Sequence, residues 1–144
     1  MILISHRGNI KGKNPNKENS TDHIKHALRL GFDVEVDVWL IDNQLFLGHD
    51  EPQYETNLEF LNNVKLWCHT KNLEALEKLL IEGVHCFWHQ NDDYAITSKG
   101  IIWAYPGKRL NEKTICVMPE TLGIGNLNNI NCLGICSDFI QSIS

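Results

Sequence analysis

Apolar positions along the chain fall into short runs that alternate at first with helical patterns and later with little but turns. Met1 to Ser5 is an apolar strand that ends in His6-Arg7-Gly8 and opens into a polar loop from Asn9 to Asn19. Loops of that length in a small domain are where sites form. Ser20 is placed to cap a helix whose apolar positions Ile24, Ala27 and Leu28 recur at helical spacing and which Gly31 closes. From Phe32 to Leu40 the period changes to two: Val34, Val36 and Val38 alternate with Glu35, Asp37 and Trp39. Asp42-Asn43 then turns the chain into Leu45 to Leu47, a hairpin that delivers Gly48-His49-Asp50. Val64 to Cys68 predicts a further strand, and Asn72 caps a helix with Leu73, Leu76, Leu79 and Leu80 on one side and Gly83 behind it. Beyond lie the apolar runs His85 to Trp88, Gly100 to Tyr105, Thr114 to Met118 and Cys132 to Cys136, with little room for helices between them.

Strands alternating with helices in the first half predict a parallel sheet, and about seven strands in succession predict a barrel or an open part of one. A full (β/α)8 barrel takes roughly 250 residues, and this chain has 144. The expectation is therefore an α/β fold, a single domain over 1–144, built as a reduced TIM-type (β/α) barrel with several outer helices missing or shortened. Apolar barrel exterior left bare by missing helices predicts a homodimer.

Composition changes this picture little. With 42% apolar and 22% charged residues, disorder is excluded. A net charge of −5 without a run of Lys or Arg argues against a nucleic-acid groove, which needs many basic contacts. No apolar stretch approaches 18 residues, and Met1 to Ile4 runs into a polar motif without a basic leader region, so the expectation is a cytoplasmic protein without stable membrane insertion. Five cysteines without a C-x-x-C pair read as buried free thiols.

Candidate chemistry gathers at the carboxyl ends of the strands, where a parallel barrel builds its site. His6 and Arg7 end the first strand, Glu35 and Asp37 lie on the second, and His49 ends the hairpin. His69 and Lys71 end the third strand, His89 the fourth, and Glu120 follows Thr114 to Met118. Side chains two apart share a strand face, so Glu35 and Asp37 point the same way. Either that face is a solvent-exposed edge, or it is buried and a divalent cation neutralises the pair.

The ordered set His6-Arg7-Gly8, Glu18-Asn19-Ser20, Glu35-x-Asp37 and Gly48-His49-Asp50 resembles the signature of the glycerophosphodiester phosphodiesterase family over about the first 50 residues. Gly134-Ile135-Cys136-Ser137-Asp138 is similar to that family's closing strand. The resemblance implies a hydrolase for a glycerophosphodiester or related small or glycosylated phosphodiester, with one divalent metal ion, magnesium or calcium. It implies His6 and His49 as the acid-base pair, Arg7 and Lys71 on the phosphate, Glu35 and Asp37 on the metal, and Glu18 and Asn19 orienting histidines and substrate. Where the family has Glu-x-Lys, this chain has His69-Thr70-Lys71. Either His69 ligates the metal, which admits manganese or zinc, or Glu120 supplies the missing oxygen; His69 is preferred, with Glu120 as an additional contact. His89 and Trp103 are candidate substrate contacts, although Trp67, Trp88, Trp103 and Tyr105 read first as core aromatics. Two further readings share these residues: a transferase releasing a cyclic phosphate, and a catalytically silent module that binds a phosphate ester. His23, His26 and His85 receive no role.

Overall fold

The computed structural model describes residues 1–123, 127 and 130–143. Both longer helices start where the sequence supplies a side-chain acceptor. Ser20 Oγ accepts from the His23 amide ahead of α1 (Thr21–Arg29), and Asn72 Oδ1 accepts from the Ala75 amide ahead of α3 (Leu73–Ile81). Each buries one stripe, Ile24 and Ala27 in α1 and Ala75 and Leu79 in α3. The strands are β1 (Ile2–His6), β2 (Asp33–Ile41), β3 (Gln44–Leu47), β4 (Tyr54–Glu55), β5 (Leu66–Thr70), β6 (Cys86–Phe87), β7 (Tyr94–Ile96), β8 (Ile102–Ala104), β9 (Thr114–Val117) and β10 (Gly134–Ser137). Short helices α2 (Leu58–Leu61) and α4 (Ile140–Ile143) and a 3₁₀ turn, Pro119–Leu122, complete the described elements.

All of these strands join one sheet. Its spine runs β6-β5-β2-β1-β10-β9-β8 with every neighbour parallel, while β7 adds antiparallel to β8 and the β3-β4 meander adds antiparallel to β2. Strand β2 is long enough to serve several partners. One edge pairs with β5 from Val34 to Val38, and the other pairs first with β1 and then, beyond Val38, with β3.

The reduced TIM-type barrel is not what forms. The structure is a strand-rich, curled, mixed sheet, a half-barrel carrying four short α-helices rather than a ring of alternating strands and helices. Connection length is the reason. A crossover helix with its loops needs roughly ten residues or more, whereas the links 88–93 and 105–113 hold none. The parallel neighbours β8 and β9 are therefore joined by bare loop, and only β2 and its surroundings receive a helical cover.

Alternation along the strands then separates two cores. Val34, Val36 and Val38 face outward into a cluster with Ile24 and Ala27 of α1 and Leu79 of α3. Ile4, Trp67, Phe87, Trp103, Ile115 and Cys136 fill the concave side. This second cluster forms an apolar floor; His6 and His69, the next inward positions on β1 and β5, and Glu35 and Asp37 of the intervening β2 stand on it. Parallel strands buried on both faces explain why Glu35 and Asp37 are covered although they alternate with core valines. Among the described residues, no helix is long and apolar enough to cross a membrane.

Gly134 is where β10 meets β1. A Cβ there would lie 2.6 Å from the Ile2 carbonyl oxygen and 2.8 Å from Ile2 Cβ, so only glycine permits this approach. Gly134→Ala is expected to lower unfolding free energy by about 2 kcal/mol through overpacking, measured by equilibrium urea unfolding; an unchanged midpoint would refute the packing account.

Candidate metal and acid-base site

Register places the chemistry. On β2, Glu35 pairs with His6 of β1 on one side and Trp67 of β5 on the other, and Asp37 pairs with His69. The four polar side chains thus converge above the floor. Glu35 is 2% exposed and Asp37 is fully buried. Glu35 Oε2 and Asp37 Oδ1 lack hydrogen-bond partners among the described residues, an arrangement that costs several kcal/mol unless positive charge compensates.

His69 indicates what compensates. Its Nε2 lies 2.7 Å from the His89 carbonyl oxygen. A carbonyl only accepts, so Nε2 carries a proton and Nδ1 turns toward the carboxylates, where it gives a proton to Glu35 when the ring is protonated and a lone pair to a cation when it is neutral. Nδ1 lies 3.6 Å from Glu35 Oε1 and 3.4 Å from Asp37 Oδ1. Those separations are long for hydrogen bonds. They match the roughly 3.0–3.9 Å that two ligands keep when each is bound to a common ion. Ligand atoms of Glu35, Asp37 and His69 all lie within 4.8 Å of one another. A histidine fixed through its other N–H by a backbone carbonyl is the usual outer support of a metal ligand, so the donor set fits a divalent cation held by two oxygens and one nitrogen.

The carboxylates are oriented from the Asn9–Asn19 loop. Asn19 donates to Asp37 Oδ2 at 2.9 Å and accepts from the Asp37 amide at 2.9 Å. Arg7 Nη1 donates to Glu18 Oε2 at 3.1 Å, and its Nε lies 3.1 Å from Asp37 Oδ2 in an ion pair. Lys71 Nζ is 3.6 Å from Asp37 Oδ1. Glu18 and Asn19 therefore position Arg7 and Asp37 directly and the histidines only through other residues.

His6 is held by a residue outside the predicted site set. Its Nδ1 donates to Asp138 Oδ1 at 2.7 Å, and Asn9 Nδ2 ties Asp138 to Glu18, at 2.8 Å and 3.0 Å. With Nδ1–H so occupied, Nε2 faces the cavity, 3.8 Å from Glu35 Oε2. His49 sits after Gly48, whose amide donates to the Asp37 carbonyl and whose carbonyl accepts from Trp39 Nε1. At Gly48 φ is +152° and a Cβ would lie 2.0 Å from the Glu51 carbonyl oxygen, so glycine is required. His49 Nδ1 donates to Asp50 Oδ1 at 2.7 Å. Both imidazoles are thus tethered through Nδ1 with Nε2 left for chemistry.

A cavity of about 410 Å³ joins these groups: His6, Arg7, Glu35, His49, His69 and Lys71 line it, against a wall that includes Trp103, Tyr105 and Met118. His89 and Trp103 both line it, but each has structural work. His89 contributes its carbonyl to His69, and Trp103 packs in the floor 4.7 Å from the Phe87 ring. Glu120 is not brought to the cluster. Its Oε1 accepts from the Ser137 hydroxyl and the Asp138 amide, at 3.0 Å and 2.9 Å, so it supports the strand end that presents Asp138. Asn9, Asp138 and Tyr105 complete the site. The Gly134–Asp138 motif signals Asp138 in sequence and the aromatic strand end Trp103 to Tyr105 signals Tyr105, whereas nothing local signals Asn9.

Burial opposes ionisation of Glu35, but the His69 ring and the charges of His6 and Arg7 outweigh it and hold this carboxyl well below its usual range. Asp37 is pushed above its ordinary value by burial and by the charge of Glu35. Burial lowers His6, yet its hydrogen bond to Asp138 and the charge of Glu35 raise it above its ordinary value overall.

Two outcomes follow. A cation must displace the proton that Asp37 retains at low pH, so divalent-ion affinity is expected to strengthen as pH rises through the raised Asp37 range and to be lost on acidification. Calorimetry in buffers of different ionisation enthalpy reads the released proton, and a pH-independent affinity would exclude the site. Asp138→Asn removes the charge that supports imidazolium and is expected to lower the His6 pKa, read from its ring chemical shifts. No protein-family model, curated protein or solved structure matches the chain, so the site is read from its own geometry.

Proposed function

We propose that the protein is a metal-dependent phosphodiesterase that acts on a glycerophosphodiester or related small phosphodiester by histidine acid-base catalysis. The observation that carries this reading is the buried Glu35-Asp37 pair facing His69 Nδ1, beside a cavity that Glu35 and His69 line together with the two tethered imidazoles, Arg7 and Lys71. The order of the His6, Glu35, Asp37 and His49 motifs, which resembles the glycerophosphodiester phosphodiesterase family, supports it. A divalent ion held by Glu35, Asp37 and His69 supplies positive charge where a phosphoryl group develops negative charge. A nitrogen among the ligands favours manganese or zinc over calcium and magnesium, which prefer oxygen.

The chain's own groups account for the rest. Arg7 and Lys71 hold the phosphate oxygens. His49 Nε2 takes the proton from the attacking hydroxyl as the new P–O bond forms. His6 Nε2, its imidazolium stabilised by Asp138, gives a proton to the departing alkoxide as the old P–O bond breaks. When the nucleophile is a neighbouring hydroxyl of the substrate, the product of this step is a cyclic phosphate. Opening it with water runs the two histidines in exchanged roles.

His6→Ala and His49→Ala are each expected to lower kcat by about 10²–10⁴-fold while divalent-ion binding is retained. Assays with a phosphodiester panel and magnesium, calcium, manganese or zinc, with chelator controls, decide the matter. Absence of wild-type turnover under every combination would leave only binding.

A further inference from the structure

The loop between β1 and α1 carries a second cavity, of about 620 Å³, outside the site described above. Lys11, Lys13, Lys17, His23 and His26 line it, and no Asp or Glu does. In a chain with net charge −5 that is a local reversal of sign. Among the described residues, Lys11, Lys13 and Lys17 have no ion-pair partner, which is equally true of Lys25, Lys65, Lys99 and Lys113; what sets these three apart is that they line one cavity together.

The backbone that presents these ammonium groups is tied down. The Gly12 amide donates to the Asp138 carbonyl at 2.8 Å, the Gln141 amide to the Ile10 carbonyl at 3.1 Å, and the Asn14 amide to Asn9 Oδ1 at 3.2 Å. Asn9 is fully buried between Glu18 and Asp138. Like charges gathered on a fixed frame repel one another, so they are stabilised by a bound anion. The pKa of His23 is depressed first by burial and then by the charges of Lys17 and His26, against the opposing charge of Glu18.

This cavity neighbours the catalytic one through shared lining residues. Lys13 lines an adjoining cleft of about 330 Å³ together with Arg7 and His49, which also line the catalytic cavity, and with Glu18, Asp50 and Glu51, so Arg7 and Lys13 are the cations that an anionic ligand would meet among these carboxylates. A ligand with one phosphoryl group at Arg7 and another at Lys11, Lys13 and Lys17 would lie along one path.

We propose that this basic cavity binds a phosphoryl group carrying two or more negative charges, and that the group is a second phosphate of the substrate, on the arm that passes Lys13. The cavity assignment stands on the lysine cluster alone, and the substrate assignment rests on the phosphodiesterase reading.

Pyrophosphate is the probe for the cavity. It is titrated with chelator present at low ionic strength and followed by the amide shifts of residues 11–17, which report locally. Lys17→Glu and Lys11→Glu are each expected to weaken pyrophosphate binding roughly tenfold or more, while the distant Lys113→Glu leaves it unchanged and thermal midpoints confirm folding. Equal affinity in wild type and both loop variants overturns the site. For the substrate assignment, kcat/KM is compared for a phosphodiester with and without a terminal phosphate. Lys17→Glu lowering only the phosphate-bearing substrate supports it, whereas no difference between the two substrates overturns it and leaves free phosphoryl anions as the source. If the wild type turns over no phosphodiester with any metal, the phosphodiesterase reading and the substrate assignment fall together, and the pyrophosphate titration still decides the cavity.

Discussion

Two carboxylates that share one face of a buried strand cannot both be charged without positive charge brought to them. Glu35 and Asp37 are in that position on β2, and much of the surrounding structure answers the constraint. Arg7 and Lys71 reach Asp37 from two directions, and His69 turns Nδ1 toward both groups. Asn19 occupies one Asp37 oxygen with a hydrogen bond, which leaves the other facing His69 and Lys71. The arrangement is costly as a structural device, since an apolar pair would pack β2 without any of these partners. Its cost is intelligible where charge has to be concentrated for chemistry.

The support for this cluster is local backbone held in unusual conformations. Arg7, Asn19 and Met118 have φ of 55°, 63° and 49°, in the left-handed region that non-glycine residues seldom adopt. Each such residue costs on the order of 1–3 kcal/mol, less for asparagine, unless its surroundings over-determine it. At Arg7 they do: its amide donates to the Glu35 carbonyl and its carbonyl accepts from the Asn19 amide. The turn after β1 is therefore locked to β2, and a guanidinium and a carboxamide are delivered together onto one carboxylate.

The first half of the fold was legible because its local signals agree. Ser20 and Asn72 both cap helices as their sequence positions predict, and the valine alternation gives the β2 face. The second half is built from strands of two to four residues joined by loops, where periodicity carries too little information to give closure or partner order. β4, β7 and the short helices α2 and α4 carried no such signal, since each is held by pairing or packing with distant chain. The barrel expectation failed for this reason: about seven strands were expected and ten form, and curvature and the absence of outer helices depend on loop length and packing.

Sequence alone determined which groups would share a face and which motifs ended strands, because a period of two is a property of the backbone. It placed Glu35 beside Asp37, and it drew His6, His49 and His69 toward the same strand ends. Tertiary structure decided whether that face is buried, since burial of a strand depends on neighbours far along the chain. It also chose between His69 and Glu120 as neighbours of the carboxylates, through a hydrogen bond to the His89 carbonyl and a pairing register that no local pattern encodes. Asp138 shows the same limit, because a residue 132 positions from His6 becomes its partner only once β10 lies beside β1.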